Sequence, residues 1–452
     1  MMTLSEAAMA TSGTILGKDA YFTSVGSDSR SIQKEQLFVA IGGENFNGHD
    51  YAKESINLGA SAVMISEPLS DLSSALLVKD TKLALGVLSS YWRDKFAIPL
   101  IAITGSNGKT TVKEMLFSIL SESTGIKEKV LATEGNLNND IGLPMTLLKI
   151  RPQHTYAIAE MGMNHIGEIR YLSKLAKPSI ALINNASSAH LGELGSLDMI
   201  AQAKGEIFEG LSPEGLAIIN ADDNYFSYWK SLVSKHRCLT FGIHSNADVK
   251  GEYELTTKGS YLRIKAMGTD FDAEMPLPGL HNVRNALAAS CAALAIEISP
   301  EAIAAGLKGI NAVKGRLQEK SGINGMVVID DSYNANPVSV KAAIDVLAMR
   351  TGEKVLILGD MAELGEEEAR LHAEVGIYAK ESGITKLYAL GSLTKHAVSA
   401  FGKNARHFDT PEELSAQIIN EPADTVLIKG SRFMRMERVV NIITLDKNKG
   451  AQ

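Results

Sequence analysis

A short apolar run, Leu100–Thr104, passes directly into Gly105-Ser106-Asn107-Gly108-Lys109-Thr110-Thr111 and then into helix-forming sequence. The run is apolar at consecutive rather than alternate positions, which suits a parallel strand covered on both faces. Parallel strands need crossover connections, most often helices, so this segment commits the chain to an α/β architecture. The glycines after it let the backbone curl so that N–H groups face an anion, and the helix N-terminus adds partial positive charge. Lys109 can reach the β- and γ-phosphates of a nucleotide, and the Thr110 hydroxyl can hold Mg²⁺. The spacing departs from the long phosphate-loop pattern, because Ile103 stands where that pattern has its first glycine. A plain strand-to-helix turn is the bland alternative, and nucleotide binding is the reading the motif favours.

A chain of 452 residues holds about three domains of ordinary size. Residues 1–98 alternate short apolar runs (Leu37–Ile41, Ala62–Ile65, Ala75–Val78) with a helical segment, Thr81–Phe96, and read as a small α/β domain. Residues 99–312 carry further buried-strand runs at Tyr156–Ala159, Ile180–Asn184 and Leu216–Asn220, with helical patterns between most of them. Residues 313–452 are the most regular, with runs at Met326–Ile329, Val355–Leu358, Leu387–Leu390 and Val426–Ile428. Strands alternating with helices predict a doubly wound, Rossmann-like C-terminal domain beside a central P-loop ATPase-like parallel sheet. The turn-rich Gly309–Gly315 stretch marks the last boundary.

Other candidate residues sit where strands end. Glu160 closes a strand that should neighbour the phosphate loop, a position from which a carboxylate can coordinate Mg²⁺. His190 follows another buried strand at the same sheet edge, where a metal or phosphate role and an ordinary hydrogen-bonded histidine are about equally plausible. Lys204 reads by default as a solvated helix lysine. Asn282 and Asn285 are three apart on an Ala-rich helix, so one face could present both amides to a base edge. Asp330-Asp331 end the first strand of the last domain, ahead of Ser332-Tyr333-Asn334-Ala335-Asn336-Pro337, in which Asn336 can cap and Pro337 open a helix.

Composition excludes several classes. A net charge of −7 and a pI near 5.9 disfavour a dedicated nucleic-acid binder, which needs a basic surface. Two cysteines without CxxC spacing argue against a disulfide framework or a structural zinc site. The N-terminal residues lack the basic n-region of a signal peptide, and no apolar window approaches the ~20 residues of a membrane span. The expectation is a cytoplasmic protein with no membrane insertion.

Taken in order, these motifs resemble the ATP-dependent Mur ligases of peptidoglycan synthesis over nearly the whole chain. Asp28-Ser29-Arg30 and Gly48-His49-Asp50-Tyr51 are similar to the family's uridine-nucleotide domain, with Asn47 where many relatives carry Asp. Gly105–Thr111 matches the family's shortened phosphate loop, including Ser106, Asn107, Gly108 and Thr111. The resemblance implies UDP-sugar contacts at Ser29, Arg30, Asn138 and Asn139, and ATP contacts at Asn282, Asn285, Arg316 and Asp331. It implies one or two Mg²⁺ ions at Thr110, Glu160 and His190, and a CO₂-derived carbamate on Lys204. Asn334-Ala335-Asn336-Pro337, Gly359–Gly365 and Lys429-Gly430-Ser431-Arg432 resemble the dipeptide-adding branch, and the Asp-Asn-Pro-Arg motif of the diaminopimelate-adding branch does not occur. That branch implies a monomeric enzyme joining UDP-N-acetylmuramoyl-tripeptide to D-alanyl-D-alanine, with the dipeptide at Asn334 and Asn336. A sibling Mur or folylpolyglutamate-type ligase, and a P-loop NTPase that hydrolyses ATP for switching, are the alternatives.

Overall fold

The computed structural model describes residues 1–43, 46–187, 191–266, 268–421 and 423–445. His190 lies outside them. Three main sheets follow one another along the chain. The first runs in the order Thr14–Gly17, Ser74–Leu77, Ala62–Ile65, Gln36–Val39, Ser24–Gly26 and is parallel except at Thr14–Gly17.

In the central sheet Leu100–Thr104 lies between Tyr156–Glu160 and Ile180–Ile183, all parallel. After Leu100–Thr104 the chain moves out to Val130–Ala132, returns to Tyr156–Glu160, and then crosses to Ile180–Ile183 on the opposite side. The strand order therefore reverses at Leu100–Thr104, and a crevice opens at its carboxyl end, where open α/β sheets hold their ligands. The sheet extends through Leu216–Asn220 and Arg237–Gly242 into three strands that a purely parallel reading misses: Val249–Leu255, Ser260–Ala266 and Thr269–Met275, antiparallel to one another. Their signal is strict alternation: Tyr261, Arg263 and Lys265 face solvent while Leu262 and Ile264 face the core.

The C-terminal sheet is parallel apart from its edge strand Gln318–Ser321. Thr425–Lys429, the last strand in sequence, inserts between Val327–Asp331 and Lys354–Gly359. This register places Lys429 opposite Asp331. Pro337 opens the helix Pro337–Ala348, and Asn336 caps it in a reciprocal capping box with Ser339.

The cores separate the lobes unequally. One continuous apolar cluster runs from Leu4, Phe22 and Trp92 of the first lobe to Leu143, Leu172 and Ile200 of the centre. Trp92 spans the joint, its indole donating to the Ile150 carbonyl at 3.0 Å. A buried ring of that size contributes about 4–6 kcal/mol from its area. The C-terminal lobe has its own clusters. It meets the centre mainly through single hydrogen bonds such as Gly192 N–H to the Glu363 carbonyl (2.8 Å) and the Arg350 guanidinium to the Thr257 carbonyl (2.6 Å). The first is worth roughly 0.5–1.5 kcal/mol and the second, from a charged donor, roughly 1.5–3 kcal/mol. The first two lobes therefore share one core, and the apolar clusters of the C-terminal lobe contain no residue of the other two among the described residues. The junction holds Gly315 (φ 71°) and Leu317 (φ 48°) in left-handed conformation, which strains Leu317 but not the glycine.

Candidate active site

The phosphate loop is shaped for a ligand. The helix Lys109–Thr124 starts at Gly108 (φ 80°) with no side chain capping it, which leaves its first-turn N–H groups open to an anion. A Cβ at position 108 would collide with the side-chain amides of Asn184 and Asn285, so the close approach there requires glycine. Asn185 holds the loop in place, its backbone carbonyl accepting from Ser106 N–H (3.0 Å) and its Oδ1 from Asn107 N–H (2.9 Å). Lys109 folds back to the Gly105 carbonyl at 2.6 Å, a contact that a phosphate would replace.

The crevice divides into two cavities on either side of this loop. One, of about 470 Å³, is lined by Asn184, Asn185, Asp223, Asn282, Asn285 and apolar Leu277, Ile310 and Val338. Its size and mixed lining suit a nucleoside. The other, of about 590 Å³, is lined by Lys109, Thr110, Asn138, Glu160, Lys204 and the C-terminal loops. Asn107, Gly108, Arg316, Asp331, Ser339 and Lys429 border both.

In the second cavity Glu160 is 2% exposed. One carboxylate oxygen accepts from Asn138 Nδ2 at 2.8 Å, and the other is buried without a partner. A bare carboxylate oxygen close to the Thr110 hydroxyl is a donor set that suits Mg²⁺. No group of three or more His, Cys, Asp or Glu side chains among the described residues is arranged to hold a metal. Mg²⁺ commonly completes its shell with water and substrate phosphates, which such a sparse set allows.

Lys204, read as a solvated lysine by default, is instead 2% exposed. Burial first, and then the charge of nearby Lys109, push its ammonium far below lysine's ordinary range. Burial lowers Lys109 as well, with Glu160 opposing the shift and Arg316 adding to it. His281, at the start of the helix that carries Asn282, is pushed down to about 4 by burial and by the charges of Lys429 and Arg284, so its ring is neutral in the nucleoside cavity wall.

The predicted residues of the C-terminal lobe arrive with different duties. Asp331 Oδ2 accepts from Lys429 Nζ at 2.5 Å and Oδ1 from Leu317 N–H at 3.1 Å. Burial pushes this carboxyl up, against Lys429 and the backbone bond, which favour its charged form. Asp330 turns away to Lys320 and Ser332. Arg316 stacks 4.3 Å from the Tyr333 ring centroid and donates to the Thr110 hydroxyl at 3.1 Å. Asn336 Nδ2 donates to Asn107 Oδ1 at 2.8 Å, joining the last lobe to the phosphate loop. Asn282 and Asn285 share a face as expected, but the face is buried. Asn285 bonds Asn282 and Asn184, and Asn282 bonds the Pro278 carbonyl, so their amides brace the cavity wall.

Asn139 caps the turn at Gly142. Ser29 and Arg30 are not brought to the crevice: Arg30 is exposed on the first lobe and pairs with Asp28 at 2.8 Å. Asn184 and Asn185 also line the crevice without being expected there, and Lys429 and Ser431 were legible only as part of the Lys429–Arg432 segment. For the first two the signal was a polar pair at the end of the strand beside the phosphate-loop strand.

Asn336 and Asn334 separate stability from binding. Asn336→Ala removes a helix cap and should cost about 1 kcal/mol, read as a lowered thermal midpoint. Asn334 is exposed, and among the described residues its side chain bonds only the Ala335 N–H. Asn334→Ala should therefore leave the midpoint unchanged and alter only substrate requirement.

Comparison with known proteins places the geometry. The family model for the Mur ligase middle domain matches residues 103–293, that for the Mur ligase, glutamate ligase domain matches 315–432, and that for the Mur ligase family, catalytic domain matches 21–92. The UDP-N-acetylmuramoyl-tripeptide–D-alanyl-D-alanine ligase of Escherichia coli is 40% identical over 448 residues, 98% of each chain. A crystal structure of MurF from Acinetobacter baumannii superposes with a TM-score of 0.91 at 36% identity, covering 97% of this chain and 98% of that one. The MurF ligase of Thermotoga maritima in complex with ADP superposes at 0.83 with 26% identity, covering 93% and 96%.

Proposed function

This chain belongs to the Mur ligase family, and from that premise we propose that it adds D-alanyl-D-alanine to UDP-N-acetylmuramoyl-tripeptide, using ATP. The observation that supports this most is the meeting of three loops in the cavity facing the phosphate loop. Ser431 Oγ donates to the Ala335 carbonyl (3.1 Å) and accepts from Ala362 N–H (2.8 Å), so Asn334–Pro337, Gly359–Gly365 and Lys429–Arg432 form one surface. These are the segments that resemble the dipeptide-adding branch.

In this reading the tripeptide's terminal carboxylate attacks the γ-phosphorus of ATP, ADP departs, and an acyl phosphate forms. The dipeptide's neutral amine then attacks the acyl carbon, and phosphate leaves as the amide closes. Several negative charges must be brought together, so positioning and charge compensation carry most of the rate. The loop N–H groups and Lys109 hold the triphosphate. Arg316, freed from Thr110, stays poised over it. Asn138 orients Glu160 from the segment assigned to the UDP-sugar. Closure of the C-terminal lobe about residues 315–317 brings the dipeptide loops over the phosphates and excludes water.

Thr110, Glu160 and His190 would hold Mg²⁺, which supplies charge neutralisation at the phosphates. The neutral amine of Lys204 would add to CO₂, releasing a proton and leaving an anionic carbamate among them. Asn282, Asn285 and Asp331 would frame the nucleoside, and Ser29, Arg30 and Asn139 would serve the UDP-sugar. No helix among the described residues is long and apolar enough to cross a membrane; in this reading the chain acts as a monomer on water-soluble substrates in the cytoplasm.

An orthophosphate-release assay tests the whole reading. Phosphate should appear only when ATP, the UDP-tripeptide and D-alanyl-D-alanine are all present. Release from ATP alone would favour a switch, and release with a single amino acid or a folate acceptor a sibling ligase.

A further inference from the structure

We infer that Arg432, with Phe433 beside it, receives the carboxylate end of the acceptor dipeptide and so determines acceptor specificity. The inference rests on the dipeptide acceptor proposed above and names the group that recognises its far end. An extended dipeptide holds its amine and carboxylate about 7 Å apart. The carboxylate therefore needs a receptor of its own, away from the groups that gather around the reacting amine.

Five lysines and arginines line the cavity: Lys109, Lys204, Arg316, Lys429 and Arg432. Four are committed elsewhere. Lys109 belongs to the phosphate loop, and Lys204 lies buried behind it. Arg316 is stacked on Tyr333 and bonded to Thr110. Lys429 is bonded to Asp331 and to the Asn334 carbonyl.

Arg432 differs in kind. Its side chain is 62% exposed at the cavity rim, and its ion pair among the described residues is a single contact to Glu437 at 3.1 Å. An exposed one-point pair of that sort is weak. Arginine's planar fork has five donors, so most remain available for bidentate capture of a carboxylate. Its backbone is fixed as well, because Ser431, the residue before it, is bonded to Asp360, Ala335 and Ala362. Phe433 lines the same cavity and is 61% exposed, so its ring is open to a ligand there. Its ring offers a surface for the methyl group of the terminal D-alanine. A cation beside an apolar plate matches a C-terminal alanine and does not match a neutral or basic acceptor end.

The test compares D-alanyl-D-alanine with D-alanyl-D-alaninamide, which lacks only the carboxylate charge, in the full-length wild type and in Arg432→Gln and Arg432→Lys. In the wild type the amide should lower kcat/KM by about 10- to 100-fold, the range for a lost hydrogen bond to a charged group. Arg432→Gln should lose a similar factor on the free acid and show little further loss on the amide. Arg432→Lys should fall between the two, because it keeps charge without the fork. Thermal midpoint and ATP requirement should not move. Equal use of both dipeptides by the wild type, or undiminished discrimination in Arg432→Gln, would overturn the inference. If the wild type uses neither dipeptide but turns over another acceptor, the proposed function itself fails, and the assignment of Arg432 falls with it.

Discussion

Lys109→Ala should reduce ligation by about 100- to 1,000-fold while leaving a folded protein. The rate loss follows from the site. Lys109 is the one lysine of the phosphate loop, and removing a preorganised donor from developing negative charge commonly costs two to three decades. Folding has much less at stake. The side chain is half-buried and makes one hydrogen bond among the described residues, to the Gly105 carbonyl, which is worth roughly 1.5–3 kcal/mol. Single-turnover phosphate release and circular dichroism on the same sample separate the two effects. Turnover within tenfold of wild type would remove the phosphate-loop assignment, and with it the nucleotide site.

Lys204→Ala should be nearly inactive and partly restored by formate or acetate, small carboxylates that occupy the volume and charge of a carbamate. Full activity of this variant in CO₂-free buffer would rule out the carbamate. The stability readout has a definite sign. The unfolded lysine is protonated below its ordinary pKa of 10.5, whereas burial holds the folded amine far lower. Between the folded and unfolded pKa values the unfolded chain binds the extra proton, so wild-type stability in CO₂-free buffer should rise with pH. Lys204→Met, which fills the site without a titrating group, should flatten that slope and be no less stable near neutral pH. Loss of activity in a variant of equal or greater stability cannot come from unfolding.

Local sequence carried much of the architecture because each signal needed only its neighbours. Leu100–Thr104 and Leu216–Asn220 are strands at the expected residues, since unbroken apolar runs have no other stable place than a covered sheet. Asn336 caps and Pro337 opens a helix because capping is a contact over three residues. The phosphate loop was legible for the same reason. The apolar run Met326–Ile329 belongs to the strand Val327–Asp331, which ends on the two acids as expected and starts one residue late, at Val327.

The sequence by itself determined the α/β class, the phosphate loop and the order of the chemistry-bearing segments, because spacing and hydrophobic period are written along the chain. Only the tertiary structure decided that Lys204 is buried, that Asp331 faces Lys429 and Asp330 does not, and that Asn282 and Asn285 brace a wall. It also decided that Arg432 stands at a rim when four other cations are committed. Burial and charge pairing depend on residues about a hundred or more positions away, such as Asp331 and Lys429, and no local pattern encodes which of two neighbouring side chains the sheet will turn inward.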